Sequence, residues 1–452
     1  MHNFIPFKIL RWFILVFITL ALISMVMPKN GLRLGPDVTI RFPAIADYFQ
    51  ADTTAVDITD IISIETEEDT VEPIKKIDTS AIAGIVPLDS GVEVKAPILL
   101  GAPDALDKFF AALQQTTADG STVRVMHYGD SQIEADRISG YLRRRLQGQF
   151  GGSGPGYITC SPAAECVAVK ESLSDGWEKH QAFAGRDKSV PHRFFGPGAS
   201  FVRFMPIHDS TAVLTQKKQS WIQYSTNNYG GARLINFRNV KMFYGGASLP
   251  VTVTCFADDA EVHRDTLLCV GNTNTMSFRL NNAPKKLKFS FSGNDSPDIY
   301  GFSFEGDGGV LVDNFALRGS SGEFFTGLSQ AQLKSYFSEM DVRLVILQFG
   351  GNAIPALQND TARTARYAKA MESQIRAFQN LAPDASILFV GPSDMSVKEG
   401  TEYVTHPLLE TLNADLKAAA ERTGIAYFDM YAAMGGRNSM VAWVEAGIAS
   451  KD

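Results

Sequence analysis

Cysteine is scarce in this sequence, and none of it stands in a metal-binding pattern. The 452 residues contain four cysteines, Cys160, Cys166, Cys255 and Cys269. No Cys-x-x-Cys pair and no cysteine–histidine cluster has zinc spacing, so neither a metal nor another cofactor is expected. Four cysteines can form disulfides in three ways, and the simplest joins Cys160 to Cys166 and Cys255 to Cys269.

Basic residues are too few to suggest nucleic acid as the main partner. Lysine and arginine number 42 against 49 acidic residues, which gives a net charge of −7. No basic stripe with interleaved aromatic side chains is present. The densest basic run, Arg143–Arg145, is predicted to occupy the last turns of a helix, where cations meet the negative end of the helix dipole.

One long hydrophobic run stands near the N-terminus. It extends over 16 residues from Trp12 to Met27 and follows the cations Lys8 and Arg11. We predict that residues 1–30 form an uncleaved signal anchor, a transmembrane helix, because no clear Ala-x-Ala cleavage site and no lipid-carrying cysteine follow. Secretion after signal cleavage is the alternative. The positive flank stays in the cytoplasm, so the rest of the chain is expected in a Gram-negative periplasm, anchored to the inner membrane.

Composition divides the remainder into four segments. Residues 31–102 are acidic, rich in threonine and aspartate, and poor in aromatics, which predicts a disordered linker. Residues 103–159 combine a helix, a strand and a second helix. Residues 160–305 contain short alternating strands separated by Gly, Asn, Asp and Pro, the pattern of a β-sandwich or jelly roll. Residues 306–452 return to alternating strands and helices.

The alternation of strands and helices indicates the fold class. Such alternation is typical of parallel βαβ units in a doubly wound sheet. Segments 103–159 and 306–452 are therefore predicted to form one α/β domain. The all-β segment 160–305 is predicted to be an insertion after the first strand–helix unit. Within that unit, the stretch 133–152 has apolar residues at helical spacing and is predicted to be the helix after the first strand.

Three of the predicted parallel strands end in residues that can bind an oxyanion. Ser131 follows the first strand in the triplet GDS, Gly319 follows the second in RGS, and Asn352 follows the third in GGN. Ligands of open parallel sheets bind beyond the carboxyl ends of the strands. A serine hydroxyl, a glycine N–H and an asparagine amide at one edge can act as a nucleophile with an oxyanion hole. A serine at a helix start also has its N–H at the positive end of the dipole.

Each of these residues also has a purely structural explanation. Ser131 can be an N-cap, Gly319 a loop glycine, and Asn352 part of a turn. The GDS triplet alone is a weak signal, since ordinary composition produces it by chance in roughly one such chain in ten. We favour a site because all three residues fall at successive strand ends.

The motifs resemble those of the SGNH or GDSL-type esterases and acylhydrolases. HYGDSQIEADRI is similar to the first block of that family, RGSSG to its glycine block, and FGGNA to its Gly-x-Asn block. The resemblance covers about residues 120–155 and 305–452. It implies a flavodoxin-like α/β/α sandwich, with Ser131 as nucleophile and an oxyanion hole formed by the Ser131 N–H, Gly319 and Asn352. The inserted β segment resembles the arrangement in periplasmic peptidoglycan O-acetylesterases, which carry a carbohydrate-binding-like module there.

The sequence departs from the family pattern at the catalytic base. The family places an Asp-x-x-His block near the C-terminus, and Asp452, the last residue, stands where the aspartate of that block is expected. We therefore expect that the chain is truncated before its catalytic histidine and is nearly inactive as printed. His406 follows the fourth strand and is the alternative base. His127 lies inside the first strand and is expected to be a packing residue.

The sequence thus favours a serine esterase that removes O-acetyl groups from a cell-envelope glycan such as peptidoglycan. The expected partners are this acetylated glycan and, through the N-terminal helix, the inner membrane. Trp177, Trp221 and Tyr224 can form a stacking platform for sugar rings, although aromatics in a β-sandwich are more often core. Two alternatives are an acetyltransferase that works with a membrane acyltransferase partner and a non-catalytic envelope glycan-binding protein.

Overall fold

The computed structural model describes residues 98–450, apart from 165, 168, 184, 208–215, 227–230 and 269, together with residues 32–33 and 39–40. The chain divides into two units after Lys75. In the first unit, the short strands Leu32–Arg33 and Thr39–Ile40 pair antiparallel. The predicted membrane helix at 1–30 lies outside the described residues, as does most of the predicted linker. Within the described ranges, no helix has the length and hydrophobicity to cross a membrane.

The second unit is built from short strands and helices. Its strands are β1 (Leu99–Leu100), β2 (Thr122–Gly129), β3 (Gly156–Ile158), β4 (Val169–Leu173), β5 (Glu178–Gln181), β6 (Ser200–Arg203), β7 (Lys218–Thr226), β8 (Asn239–Gly245), β9 (Val251–Ala257), β10 (Ala260–Leu267), β11 (Asn274–Arg279), β12 (Lys286–Gly293), β13 (Asp298–Glu305), β14 (Gly309–Ala316), β15 (Val342–Gln348), β16 (Ser386–Val390), β17 (Ser396–Glu399), β18 (Glu402–Thr405) and β19 (Ala426–Phe428). Its helices are α1 (Asp107–Asp119), α2 (Ser139–Phe150), α3 (Ala232–Ile235), α4 (Gln330–Glu339), α5 (Ile354–Leu357), α6 (Thr361–Leu381), α7 (Leu409–Thr423), α8 (Met430–Met434) and α9 (Ser439–Glu445). Short 3-10 segments lie at Ser131–Asp136, Phe325–Gly327 and Gly351–Ala353.

Five parallel strands and one antiparallel edge strand form the α/β sheet. Its order is β14-β2-β15-β16-β19-β1, and β1 runs antiparallel to β19. The parallel part therefore has the 2-1-3-4-5 order of flavodoxin-like folds. The edge strand β1 lies inside the segment 31–102 that composition predicts to be a disordered linker. Because β1 is bonded to β19, the α/β domain begins before residue 103.

Helices cover both faces of this sheet. On one face α1 and α2 pack over a core that includes Leu113 and Val125. On the other face α4, α6 and α7 pack over a core that includes Phe378 and Leu412. Strands covered on both faces are buried along almost their whole length, which explains continuous apolar runs such as the LVIL of β15. The prediction of a parallel α/β sheet is confirmed.

The residues between α2 and β14 form two antiparallel sheets packed face to face, called the β module below. The first sheet has the order β11-β8-β13-β6-β5, with β3 also paired to β13, and the second has the order β10-β9-β12-β7-β4. Their inner faces share a core that includes Val240, Phe289 and Phe302. The module begins before the predicted boundary at residue 160, because β3 is already paired with β13.

Aromatic side chains join the β module to the α/β domain. Phe243 of β8 and Tyr300 of β13 lie on the outer face of the first sheet and meet the ring of Tyr336 on α4 at steep angles. The ring centroids are 5.3 and 5.9 Å apart. The Tyr336 hydroxyl donates to the Tyr244 carbonyl at 3.3 Å. The first sheet of the module therefore has a buried layer on each side.

The three aromatics considered as a stacking platform do not form one. Tyr224 belongs to the core between the two sheets of the module, and the partly buried Trp177 packs against that core. Trp221 lies on the outer face of the second sheet, where the Lys288 ammonium is 5.0 Å from its ring centroid. The rings lie on different sides of the sheet because alternate residues of a strand face opposite ways.

The proposed disulfides are not formed. Cys160 and Cys255 are buried free thiols, so neither the Cys160–Cys166 pair nor the Cys255–Cys269 pair exists. The Cys166 Sγ donates to a carboxylate oxygen of Asp136 at 3.1 Å. The two buried thiols pack as small apolar side chains inside the module. Cys269 itself lies outside the described residues.

Candidate active site

Three strand ends meet at the carboxyl edge of the parallel sheet. Gly129 at the end of β2 lies opposite Ala316 of β14 and opposite Gln348 of β15. The order of the strands reverses between β2 and β15, which is where doubly wound sheets bind ligands. The loops that leave these three strands carry the predicted site residues Ser131, Gly319 and Asn352.

Ser131 begins a 3-10 segment rather than an α-helix. This segment spans Ser131–Asp136, and α2 begins only at Ser139. The predicted helix start at residue 133 is wrong because Ala135 and Asp136 have positive φ angles of 53° and 58°, which interrupt the helix. Residues 130–136 are called the serine turn below. Its N–H groups lack the dipole of a full α-helix that the sequence suggested.

A buried carboxylate connects the three loops. Asp130 accepts the Gln132 N–H through Oδ1 at 2.9 Å and the Asn352 amide through Oδ2 at 3.2 Å. The same Asn352 nitrogen donates to the Ser320 carbonyl at 3.2 Å. Burial raises the pKa of Asp130. The aspartate next to Ser131 therefore orients the amide of Asn352 and ties it to the loop that contains Gly319.

The remaining polar groups of the site are open to a ligand. Ser131 is partly exposed, and Gly319 and Asn352 are exposed. Within the part of the chain that the structure describes, no hydrogen bond occupies the Ser131 Oγ or the Gly319 N–H. Gly319 has a φ of 76°, and a side chain there would meet no atom within 4 Å. No cluster of three His, Cys, Asp or Glu among the described residues could hold a metal ion.

A cleft opens beside Gly319. One wall is the loop after β14, with Gly319, Ser320 and Glu323, and the opposite wall contains Gly185 and Arg186 of the β module. Arg186 and Glu323 are both exposed, so the cleft carries one cation and one anion. The α/β domain and the β module therefore both contribute to the surface next to the site.

Two buried carboxylates hold the serine turn, and sequence reasoning did not single them out. Glu134 accepts from the Arg318 guanidinium through both oxygens, at 2.7 and 2.6 Å. Asp136 accepts from Arg143 at 3.1 Å and from Asn314 at 3.2 Å. Burial acts to raise the pKa of Asp136, but the Arg143 guanidinium and the hydrogen bonds outweigh it, and the pKa is lowered. Both acids fall within the helix predicted over 133–152, where exposed acidic residues are ordinary, so the sequence offered no reason to single them out.

Neither described histidine of the α/β domain fits the role of base. His127 Nε2 lies 3.1 Å from the Gln348 side-chain oxygen, and burial lowers the pKa of His127 to about 4. His406 Nδ1 accepts the Leu408 N–H at 3.2 Å, so the neutral ring carries its proton on Nε2. A base that takes a proton from serine through Nε2 needs the opposite tautomer. Asp452 lies outside the described residues.

The described fold has the flavodoxin-like sheet that the resemblance to SGNH-type hydrolases implies, with the serine turn after its first strand and the loops of Gly319 and Asn352 after the next two. Residues 290–446 match the family model of GDSL-like lipases and acylhydrolases. The resemblance seen in the motifs is confirmed for this part of the chain. The matched part contains Gly319 and Asn352, whereas Ser131 precedes it.

Similar solved structures include several esterases. A peptidoglycan O-acetylesterase is 20% identical, with a TM-score of 0.61 over 79% of this chain and 92% of that one. A Bacillus subtilis protein is 12% identical, with a TM-score of 0.25 over 65% of this chain and 86% of that one. A family two carbohydrate esterase from Cellvibrio japonicus is 8% identical, with a TM-score of 0.20 over 56% and 86% of the two chains. Comparison with curated protein sequences gave no match.

Proposed function

We propose that the protein is a serine esterase that removes O-acetyl groups from a cell-envelope glycan such as peptidoglycan. The observation that carries the proposal is the register of β2, β14 and β15, which brings Ser131, Gly319 and Asn352 to one edge of the sheet. Hydrogen bonds to Asp130 and to the Ser320 carbonyl hold the Asn352 amide at this edge, and one of its two N–H groups must leave its partner to bind the oxyanion. The likeness in fold to a peptidoglycan O-acetylesterase supports the substrate class.

In the proposed reaction, Ser131 Oγ attacks the carbonyl carbon of the acetyl ester while a general base takes its proton. Asp452 keeps its proposed role as the carboxylate that orients this base. The N–H groups of Ser131 and Gly319 and the amide of Asn352 stabilise the charge on the carbonyl oxygen. The glycan alcohol leaves with the proton returned by the base. Water then releases acetate from the serine through the same steps.

The cleft beside Gly319 is the proposed site for the glycan. It is open to solvent, and its two walls come from the α/β domain and the β module. A long polymer needs such an open surface, since an enclosed pocket admits only a chain end. The proposed setting is the periplasm, with residues 1–30 as an inner-membrane anchor, or outside the cell if the signal is cleaved.

The test measures acetate release from acetylated peptidoglycan by the protein produced from its complete reading frame. Ser131→Ala is expected to lower kcat by about 10³-fold or more, because no other group supplies the nucleophile. Ser373→Ala is the matched control, since Ser373 is exposed on α6. Turnover by Ser131→Ala at the wild-type rate would contradict the proposal.

The same assay separates the two alternatives. An acetyltransferase moves the acetyl group to a glycan hydroxyl, so acetylated acceptor accumulates instead of free acetate. A glycan-binding protein shows no turnover with the complete protein, and Ser131→Ala binds the glycan as tightly as the wild type does. The esterase proposal requires free acetate that depends on Ser131.

A further inference from the structure

The serine turn adopts a backbone conformation that its own residues do not favour. Ala135 and Asp136 follow one another with φ angles of 53° and 58°. This left-handed region is unfavourable for residues with a Cβ, and it persists only where the surroundings hold the chain in place. The contacts of the turn therefore decide where Ser131 lies.

Two sets of contacts hold this turn, and they lead to different parts of the site. Asn314 of β14 donates to the Ile133 carbonyl at 2.8 Å and to Asp136 at 3.2 Å, which fixes the turn to the sheet. Glu134 reaches instead to Arg318, which lies in the loop after β14. The Glu134 side chain is 5% exposed, and that of Arg318 is 57% exposed. The second contact therefore joins a loop to a loop.

The position of Arg318 gives this contact its importance. Arg318 directly precedes Gly319, whose N–H is a proposed oxyanion donor. Its Nε and Nη2 each meet one oxygen of Glu134, three residues after Ser131, at 2.7 and 2.6 Å. A two-point contact of this kind fixes both distance and orientation. An oxyanion donor must lie within about 3 Å of the developing charge, so a small shift of the loop is costly.

We propose that the Glu134–Arg318 pair sets the distance between the Ser131 hydroxyl and the Gly319 N–H. This inference rests on the proposed esterase function. Both members are positioning residues, because they act through Ser131 and Gly319 and do not touch the reacting atoms. Loss of the pair affects the transition state more than substrate binding, so kcat falls while KM changes little.

The experiment compares Glu134→Gln and Arg318→Gln with the wild type, each produced from the complete reading frame. For an acetyl ester we expect kcat per titrated active site to fall about 10- to 100-fold, with KM within about threefold. The affinity for a methylboronic acid, which forms a tetrahedral adduct on serine, is expected to fall by a similar factor. Arg318→Lys keeps the charge without the two-point contact and should lie between the wild type and Arg318→Gln.

Arg264→Gln is the matched control. Arg264 makes the same two-point contact with Glu261, at 3.0 and 2.8 Å, and its side chain is 59% exposed. The pair lies on β10, a strand of the β module that carries no residue of the proposed site or cleft. We expect wild-type kcat and boronate affinity in this variant.

The outcomes distinguish this inference from the proposed function. Unchanged kcat and boronate affinity in both site variants would overturn the positioning role and leave the esterase proposal intact. A smaller active fraction with unchanged kcat per titrated site would also overturn it, because the pair would then only support folding. A wild-type protein that neither hydrolyses the ester nor binds the boronate would overturn the proposed function and the role of the pair with it.

Discussion

The α/β domain and the β module place their polar residues by different rules. The parallel strands are covered on both faces, so polar side chains such as Asp130 and Asn352 gather where strands end. In the module the strands alternate, and β7 buries Ile222 and Tyr224 while it turns Gln223 outward. The alternation of the strand therefore explains a polar residue within a module strand, because every second side chain faces outward. A polar residue at the end of a parallel strand instead indicates a site.

The junction of the two regions follows neither rule. Arg124 lies near the start of β2 and is 1% exposed. Its Nη2 donates to Glu305 of the module at 2.6 Å, and its Nε is 3.7 Å from Asp313 of β14. Burial alone would lower the pKa of Arg124, but the two carboxylates outweigh it and raise the pKa. Charge inside these strands thus serves to join the module to the sheet.

The largest effect on stability is expected from Arg124→Met. The substitution keeps the apolar stem but removes the cation that faces Asp313, and it leaves Glu305 with Lys241 as its ion-pair partner, at 3.2 Å. Removing one partner of a buried pair typically costs about 3–5 kcal/mol, so the free energy of unfolding should fall by that amount. Urea unfolding measures it.

An exposed pair on the same module provides the control for this substitution. Arg279 contacts both carboxylate oxygens of Asp307, at 2.6 and 2.8 Å, with side chains that are 54% and 46% exposed. Arg279→Met is expected to cost less than about 1 kcal/mol, because solvent screens such pairs. Equal costs for Arg124→Met and Arg279→Met would show that burial does not separate the junction from the surface.

Asn352→Ala tests the rule that polar residues at strand ends build the site. Loss of one oxyanion donor typically lowers kcat by about 10²–10³, which corresponds to about 2.7–4 kcal/mol of transition-state stabilisation. We expect that fall in ester hydrolysis, with a small change in melting temperature. Asn380→Ala, at an exposed position near the end of α6, should leave kcat unchanged. If the two variants behave alike, Asn352 is not part of the site.

Much of this arrangement could be predicted because it rests on periodicity and strand order. Alternation of strands and helices predicted the sheet, and the carboxyl-edge rule singled out Ser131, Gly319 and Asn352. The disulfides could not be predicted, since spacing does not tell whether a thiol such as Cys255 points into a core. The short strand β1 was missed because two residues carry no periodic signal.

Charged residues were the hardest to interpret from the sequence. Arg143, Arg144 and Arg145 look alike as letters, yet Arg143 is buried and donates to Asp136 and to the Val312 carbonyl, while its two neighbours are exposed. The helix begins at Ser139 instead of residue 133, so helical spacing counted from residue 133 assigns these side chains to the wrong faces. A burial assignment for each arginine needed the tertiary contacts.

The pH dependence of stability tests a polar residue that lies inside a parallel strand. Burial lowers the pKa of His127 to about 4, against about 6.5 in an unfolded chain. Between these values the unfolded state binds the proton first, so stability is present above pH 6.5 and is lost as the pH falls toward 4. The free energy of unfolding should be about 2 kcal/mol lower at pH 5 than at pH 8 from this residue alone. His127→Gln should remove that part of the slope, and an unchanged slope would show that the ring is not held neutral.

The smallest effect is expected from a substitution in the cleft, to which the α/β domain and the β module both contribute. Arg186 of the module lies in the cleft beside Gly319, and its Nη2 donates to the Val190 carbonyl at 2.8 Å, which leaves other N–H groups for a substrate. If the glycan carries carboxylates, Arg186→Ala should raise KM for the polymer about 3- to 10-fold, with little change for the uncharged p-nitrophenyl acetate.

Lys188→Ala separates a contact in the cleft from general attraction to an anion. Lys188 is exposed two residues from Arg186 on the same loop, but it does not line the cleft. If KM rises only in Arg186→Ala, the module contributes a direct polar contact with the glycan, made by a residue that lines the cleft. If KM rises equally in both variants, the cations attract the glycan only over long range. Specific polar contacts would then come only from residues at the ends of the parallel strands.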